Sequence, residues 1–368
     1  LRALGSDLLQ WQGDPVCVLN ALSMALAQDG SAPWLVCEDI AAPEEQAQLR
    51  ALGEHGLRVE SVWQSTLMAP ASLPFAVSQL PDVYSDFRRA LERAAVAAAS
   101  PLPAPRVLPP LPALPHDVLA VSDAMPDNAT GATSALTLFG GVHGGERAAL
   151  RHLEQYCRRG LPHSYKQTRN GLSGIDYSTK WSLWLATGAL SPRRAWAEVE
   201  ALVAQQGRSE GTDWIRVELL WRDHFRWLHG KYGRQLYRRG GLRRSALQAE
   251  VPKAKAHDPN AFLRWCQGQT GQPFIDAGMR ELKTTGYLSN RMRQNVASYL
   301  IHDLSCDWRA GAAWFESQLI DYDVYSNQGN WLYLSGRGTD PRANRRFDSA
   351  RQAQMYDPAG RYRALWAD

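Results

Sequence analysis

With 368 residues the chain can bury one large core or two ordinary ones; 41 basic against 37 acidic side chains leave a net charge of +4, too small to argue for a polyanion partner without local clustering. Five scattered cysteines, Cys17, Cys37, Cys157, Cys266 and Cys306, form no CxxC pair, which argues against a disulfide framework and a zinc or iron–sulfur site, and no metal is expected. No apolar run reaches the ~18 residues of a membrane span and no basic-then-apolar leader opens the chain, so a reduced, cytoplasmic protein without a membrane partner is expected.

From Ser6 to Ser65 short apolar runs alternate with longer periodic ones: DLLQW, VCVLNALSMALA, APWLVCE, EEQAQLRALGEHG and LRVESVW. The pattern predicts strand, helix, strand, helix, strand in an α/β layer with parallel strands. Pro101–Pro115, with seven prolines in fifteen residues, cannot sustain a helix or a central strand and predicts an extended connector. Asp117–Gly141 predicts a wrapped loop. Beyond Gly144 the pattern is helical throughout, which predicts an all-α bundle. The boundaries that follow are 1–95 for the α/β domain, 96–141 for the linker and 142–368 for the helical domain.

Three stretches of the helical half carry candidate chemistry. In YKQTRNGLSGIDYSTKWSLWLATGALSP, residues 165–192, Ser178, Thr179, Lys180 and Ser182 stand where a helix begins. Hydroxyls, an ammonium and free backbone N–H groups there predict an anion site. In DWIRVELLWRDHFRWL, Glu218, Trp221, Arg222 and Phe225 share one helix face; the same spacing also allows an ordinary amphipathic helix with a Glu218–Arg222 ion pair. In DWRAGAAWFESQLIDYDVYSNQGNWLY, Asp321, Asp323, Asn327 and the aromatics Trp308, Trp331 and Tyr333 fall together. Such a set suits hydrogen bonds to a planar heteroaromatic ligand, and it also suits a helix cap and loop.

The segments TGYLSNRMRQNVASYL, DWRAGAAWFESQLIDYDVYSNQGNW and DPRANRRFD resemble the flavin domain of the photolyase and cryptochrome family, most closely its DASH cryptochromes. The match runs from about Tyr165 to Trp366, with a weaker one over Leu1–Ala95. The resemblance implies a partial doubly wound parallel-sheet antenna domain followed by an α-helical FAD-binding domain, an α/β plus all-α fold. A doubly wound sheet has its first strands at the centre, so the chain is expected to be a fragment. Single-stranded DNA carrying cyclobutane pyrimidine dimers is the implied substrate, repaired by an electron from excited, reduced FAD. A monomer is expected. A blue-light receptor that binds FAD and nucleic acid without repair is the alternative.

Residue by residue, the resemblance implies FAD contacts at Tyr165, Ser178, Thr179, Lys180, Trp181, Ser182, Asn290, Arg293, Asp321, Asp323 and Asn327, with Arg293 paired to Asp321 and the neutral amide of Asn327 beside the reactive flavin nitrogen. Trp221 would stack on the flipped dimer, and Glu218 and Arg222 would hydrogen-bond it. Gln294 and Tyr333 stand where double-strand photolyases carry Met and Trp, exchanges that accompany single-strand preference. Arg342, Arg345, Arg346 and Gln352 would face DNA. Trp331 and Trp308 match the inner and middle members of an electron-transfer chain whose outer position holds Lys255. A folate antenna, 5,10-methenyltetrahydrofolate, is implied, with Asp39 as an acidic contact.

Overall fold

The structure, a computed structural model, describes residues 1–9, 11–27, 30, 32–114, 142–242, 257–340 and 345–367. The chain divides into two compact units: Leu1–Gln64 with the described part of Pro101–Gly131, and Ser65–Ser100 with the described part of Ala132–Asp368.

In the first unit, helix α1 (Pro15–Leu26) begins at Asp14, whose carboxylate accepts from Cys17 N, with proline at the first helical position. Strand β1 (Trp34–Glu38) leads to α2 (Pro43–Glu54), which starts on Pro43 with Glu44 and Glu45 in its first turn, and then to β2 (Arg58–Val62). The strands pair in parallel, Trp34 opposite Arg58 through Glu38 opposite Val62, so residues 34–62 form a βαβ unit. The expected first strand, DLLQW, is not a strand among the described residues. There the Asp7 carboxylate accepts from Arg2 Nε at 2.9 and 3.0 Å and from Leu8 N at 2.8 Å. Residues 101–114 form neither helix nor strand; the loop at 117–141 lies outside the described residues.

The second unit includes residues 65–100, placed by the sequence reading partly in the first domain. Polar groups of the long helix α8 (Glu210–Tyr232) tie this stretch down: Leu67 N donates to Asp223 at 2.7 Å, and Lys231 Nζ donates to Leu80 O at 2.7 Å and Asp82 at 2.6 Å. Helix α3 (Tyr84–Arg93) buries Phe87 and Leu91. The remaining helices are α4 (Glu146–Arg158), α5 (Leu161–Thr168), α6 (Ser182–Leu185), α7 (Pro192–Gln206), α9 (Pro259–Gln267), α10 (Pro273–Thr285), α11 (Asn290–Ser298), α12 (Trp308–Gln318), α13 (Val324–Leu334), α14 (Ser349–Tyr356) and α15 (Arg361–Leu365). Their core is aromatic and aliphatic, with Trp265, Phe274, Met279, Met292, Leu300, Trp308, Phe315 and Trp331 in one buried cluster.

The start of α8 fixes the floor of the site. Ser209 and Thr212 form a reciprocal capping box, and the first turn runs so close to α5 that a Cβ at Gly211 would collide with the carbonyls of Pro162 and His163. Backbone cannot yield as a side-chain tip can. Gly211→Ala is therefore expected to destabilise the protein by about 1–3 kcal/mol, read as a lowered urea midpoint; an unchanged midpoint would contradict this packing.

Candidate functional site

A cavity of about 550 Å³ opens between α5, α6, α8, α11 and α13. Its lining brings together most of the residues singled out in the sequence: Tyr165, Ser178, Thr179, Trp181, Ser182, Glu218, Trp221, Arg222, Asn290, Arg293, Gln294, Asp321, Asp323, Tyr333 and Arg345. They come from segments far apart in the chain, joined only by the helical packing.

The electrostatic centre is a buried ion pair. Arg293 Nη2 donates to both Asp321 oxygens at 2.8 Å, and its Nε donates to Leu288 O at 2.9 Å. The Asp321 side chain is 1% exposed. The carboxylate is out of water and the Arg293 side chain is 25% exposed, so the loss of arginine strands a buried charge, while the loss of aspartate leaves a largely covered guanidinium without its counter-charge. Asp323 caps α13 by accepting from Ser326 N at 2.7 Å, so of the two aspartates one is paired to arginine and the other is a helix cap. Asn327 lines a recess of about 60 Å³ that shares Asn290, Arg293, Asp321 and Asp323 with the main cavity; its Nδ2 donates to Ala312 O at 3.0 Å. Trp331 lines the same recess and is buried against Phe315 at 5.2 Å and Trp265 at 6.4 Å. Trp308 is buried, with Nε1 donating to Arg239 O at 3.1 Å.

Several expected contacts differ. The i,i+4 ion pair between Glu218 and Arg222 does not form: Glu218 pairs with Arg169 and accepts from Trp214 Nε1 at 2.9 Å. Burial raises its carboxyl above the usual range, with Arg169 pulling the other way. The Arg222 guanidinium donates to the Ser65 and Leu185 carbonyls. Arg345 is bound to Asp340 at 2.8 Å and lies 4.2 Å over the Tyr333 ring, and Arg346 pairs with Asp303. The neighbouring acids balance these two guanidiniums. Gln352 is half-buried outside the cavity, within 3.4 Å of Asn295 Nδ2. Arg342 and Lys255 lie outside the described residues. Arg169, Trp214, Tyr287, Arg291 and Asn330 also line the cavity and were missed. The signal available for Arg169 was a part-buried carboxylate on α8 in need of a cation, which no sequence spacing marks.

Lys180 departs furthest from expectation. The helix after it has only four residues, and Lys180 does not line the cavity. It adopts a left-handed φ of 57°, is 2% exposed, and places Nζ 3.2 Å from the Tyr177 ring centre and 4.9 Å from that of Tyr287, with no hydrogen-bond partner. Burial pushes its pKa down to about 6, against the pull of Glu281. Between pH ~6 and ~10.5 the unfolded chain thus holds a proton that the folded chain does not, and stability rises with pH across that window by about 1.4 kcal/mol per unit. Lys180→Met is expected to stabilise the protein at pH 7, with the gain shrinking towards pH 10. An equal effect at both pH values in urea titrations would refute the neutral buried amine.

Among the described residues no group of three or more His, Cys, Asp or Glu could hold a metal, and no helix is long and apolar enough to cross a membrane.

Comparison with known proteins agrees with this architecture. Residues 214–368 match the FAD binding domain of DNA photolyase, and residues 1–107 match the DNA photolyase family. Cryptochrome DASH of Gloeobacter violaceus is 43% identical over 370 residues, and that of Xenopus laevis 42% over 372; the whole chain aligns with 72% and 69% of their lengths. A cryptochrome from Synechocystis superposes over the whole chain and 74% of its own, with a TM-score of 0.85 and 38% identity. A bacterial class III photolyase from Agrobacterium tumefaciens does so over 74% of its chain, at 0.76 and 26%. A cavity built around a buried Arg293–Asp321 pair, in a helical domain of this ancestry, makes the chain a photolyase-like flavoprotein of the photolyase and cryptochrome family, within its cryptochrome DASH group.

Proposed function

We propose that the protein repairs cyclobutane pyrimidine dimers, preferentially in single-stranded DNA, using light and reduced FAD. The observation that carries this reading is the joint position of Trp221 and Tyr333, 6.2 Å apart at 77°, on the cavity that also holds the Arg293–Asp321 pair. A stacking platform for a base and a polar cradle for a planar cofactor then share one chamber.

The residues present fit FAD. A cavity of about 550 Å³ is within the range of organic-ligand sites. The donor set on its wall also fits: the hydroxyls of Tyr165, Ser178, Thr179 and Ser182 and the Arg293 guanidinium belong to lining residues and can meet the phosphates, ribityl chain and ring edge of such a cofactor. Tyr165, Ser178, Thr179, Trp181, Ser182, Asn290, Arg293, Asp321, Asp323 and Asn327 would hold the cofactor, Lys180 supporting them from behind. Reduced FAD, excited by blue light, supplies the electron that opens the cyclobutane ring and takes it back.

The protein's own share is orientation, charge and exclusion of water. Arg293 and Asp321 present a fixed dipole with no net charge. Asn327, tied to Ala312 O through its amide nitrogen, offers a neutral carbonyl to the recess and adds no negative charge beside a reduced ring. Trp221 stacks on an extruded base, a contact worth about 1–3 kcal/mol that offsets part of the unstacking cost. Glu218, held protonated more readily by burial, is a hydrogen-bond partner for a pyrimidine edge, and Arg222 is a second. Gln294 and Tyr333 make the chamber more polar and reduce its stacking area, which suits an already single-stranded lesion. Arg342, Arg345 and Gln352 would flank the DNA backbone. Trp331 and Trp308 would deliver electrons to oxidised flavin. A methenyltetrahydrofolate antenna is part of the same reading. Asp39 is its acidic contact, held at the end of β1 by its N–H donating to Val62 O at 2.9 Å.

Illumination of the reduced, flavin-loaded protein with dimer-containing single-stranded and duplex oligonucleotides is expected to restore thymines faster on the single strand. Absence of repair on both substrates, with flavin bound and reduced, would overturn the proposal in favour of a light receptor.

A further inference from the structure

We propose that Tyr84 is a positioning residue for lesion binding: it backs the Trp221 indole from the side away from the main cavity and leaves one face open to a base. This rests on the repair reading above and deepens it by naming what holds the stacking platform still.

The two rings lie 3.8 Å apart between centroids and 9° from parallel. The Tyr84 hydroxyl donates to Val217 O at 2.8 Å. Val217 stands one helical turn before Trp221, so the phenol is fastened to the turn of α8 that carries the indole. Burial pushes this phenol well above its ordinary range, so it remains a donor at every working pH. Phe87 and His224 flank the Tyr84 ring at 6.4 and 5.8 Å and limit its tilt.

Which face is covered follows from the two large cavities. A second, apolar chamber of about 390 Å³ is lined by Tyr84, Trp221, Phe225, Leu228 and Tyr333. Trp221 lines both chambers, whereas Tyr84 lines only the second. The tyrosine therefore covers the indole face turned away from the Arg293–Asp321 pair. A free indole would lose rotamer freedom when a base stacks on it, and that loss subtracts from affinity. Prior stacking on Tyr84 removes most of it, so the bound lesion forms the third layer of a tyrosine–indole–base sandwich.

Tyr84→Leu and Tyr84→Phe test this in the flavin-loaded protein, with Trp221→Ala alongside. For a dimer-containing single-stranded oligonucleotide, Tyr84→Leu is expected to raise Kd and KM on the order of fivefold. The repair rate at saturating substrate, flavin absorbance and affinity for undamaged oligonucleotide should be unchanged, and Tyr84→Phe should stay within about twofold of the parent. If Trp221→Ala loses dimer affinity while Tyr84→Leu keeps it, the positioning role is wrong and the repair reading survives. If Trp221→Ala keeps it as well, the lesion-binding reading itself falls. Loss of flavin from Tyr84→Leu would mean that Tyr84 supports the fold and not the platform.

Discussion

Asp321→Ala is expected to give a colourless protein that unfolds at lower denaturant, destabilised by about 3–5 kcal/mol. The carboxylate is almost wholly buried and accepts both bonds from Arg293 Nη2, so its removal leaves a guanidinium without a counter-charge. Asp321→Asn, which keeps the shape and one acceptor, should fall between the two. The double variant Arg293→Met/Asp321→Leu separates stability from cofactor binding. Replacing both charges by apolar groups should recover much of the stability while leaving the protein colourless. Visible absorbance of the purified variants, read beside their urea midpoints, decides the matter. A yellow Asp321→Ala protein, or a double variant as unstable as the single one, would show that the pair is not the anchor of the cavity.

Trp221→Ala is expected to weaken binding of dimer-containing oligonucleotide by about 1–3 kcal/mol, or roughly 5- to 150-fold, with flavin content preserved. The asymmetry arises because Trp221 stands on the stretch of cavity wall shared with the apolar chamber, which the Arg293–Asp321 pair does not line. Fluorescence anisotropy with damaged and undamaged strands measures the discrimination directly. Equal loss of flavin and of dimer affinity would refute a role confined to the lesion.

How far these residues could be read in advance differs from element to element. The α8 face that holds Glu218, Trp221, Arg222 and Phe225 follows from helical spacing alone, and all four line the cavity. The partner of Glu218 does not follow: an i,i+4 arginine is available in sequence, yet Arg169, the C-cap of α5, takes the place, because the close approach at Gly211 brings α5 against α8. DLLQW reads as a strand by composition and is not one among the described residues, since a strand needs a neighbour as well as β-prone side chains. Lys180 reads as an anion ligand by its place before a helix; burial over the Tyr177 ring is a tertiary outcome that no local pattern carries.

The amino-acid order by itself determined the helical character beyond Gly144, the break at the proline run, and the family resemblance with the side chains it nominated, because periodicity, backbone stiffness and motif are local properties of a chain. Only the tertiary structure decided that residues 65–100 pack on α8, that Arg169 and not Arg222 meets Glu218, that Lys180 is sealed off from the cavity, and that Tyr84 lies flat against Trp221. Each of these is a choice of partner between residues distant in sequence. It is settled by which buried polar groups and ring faces the packed helices bring within reach of one another.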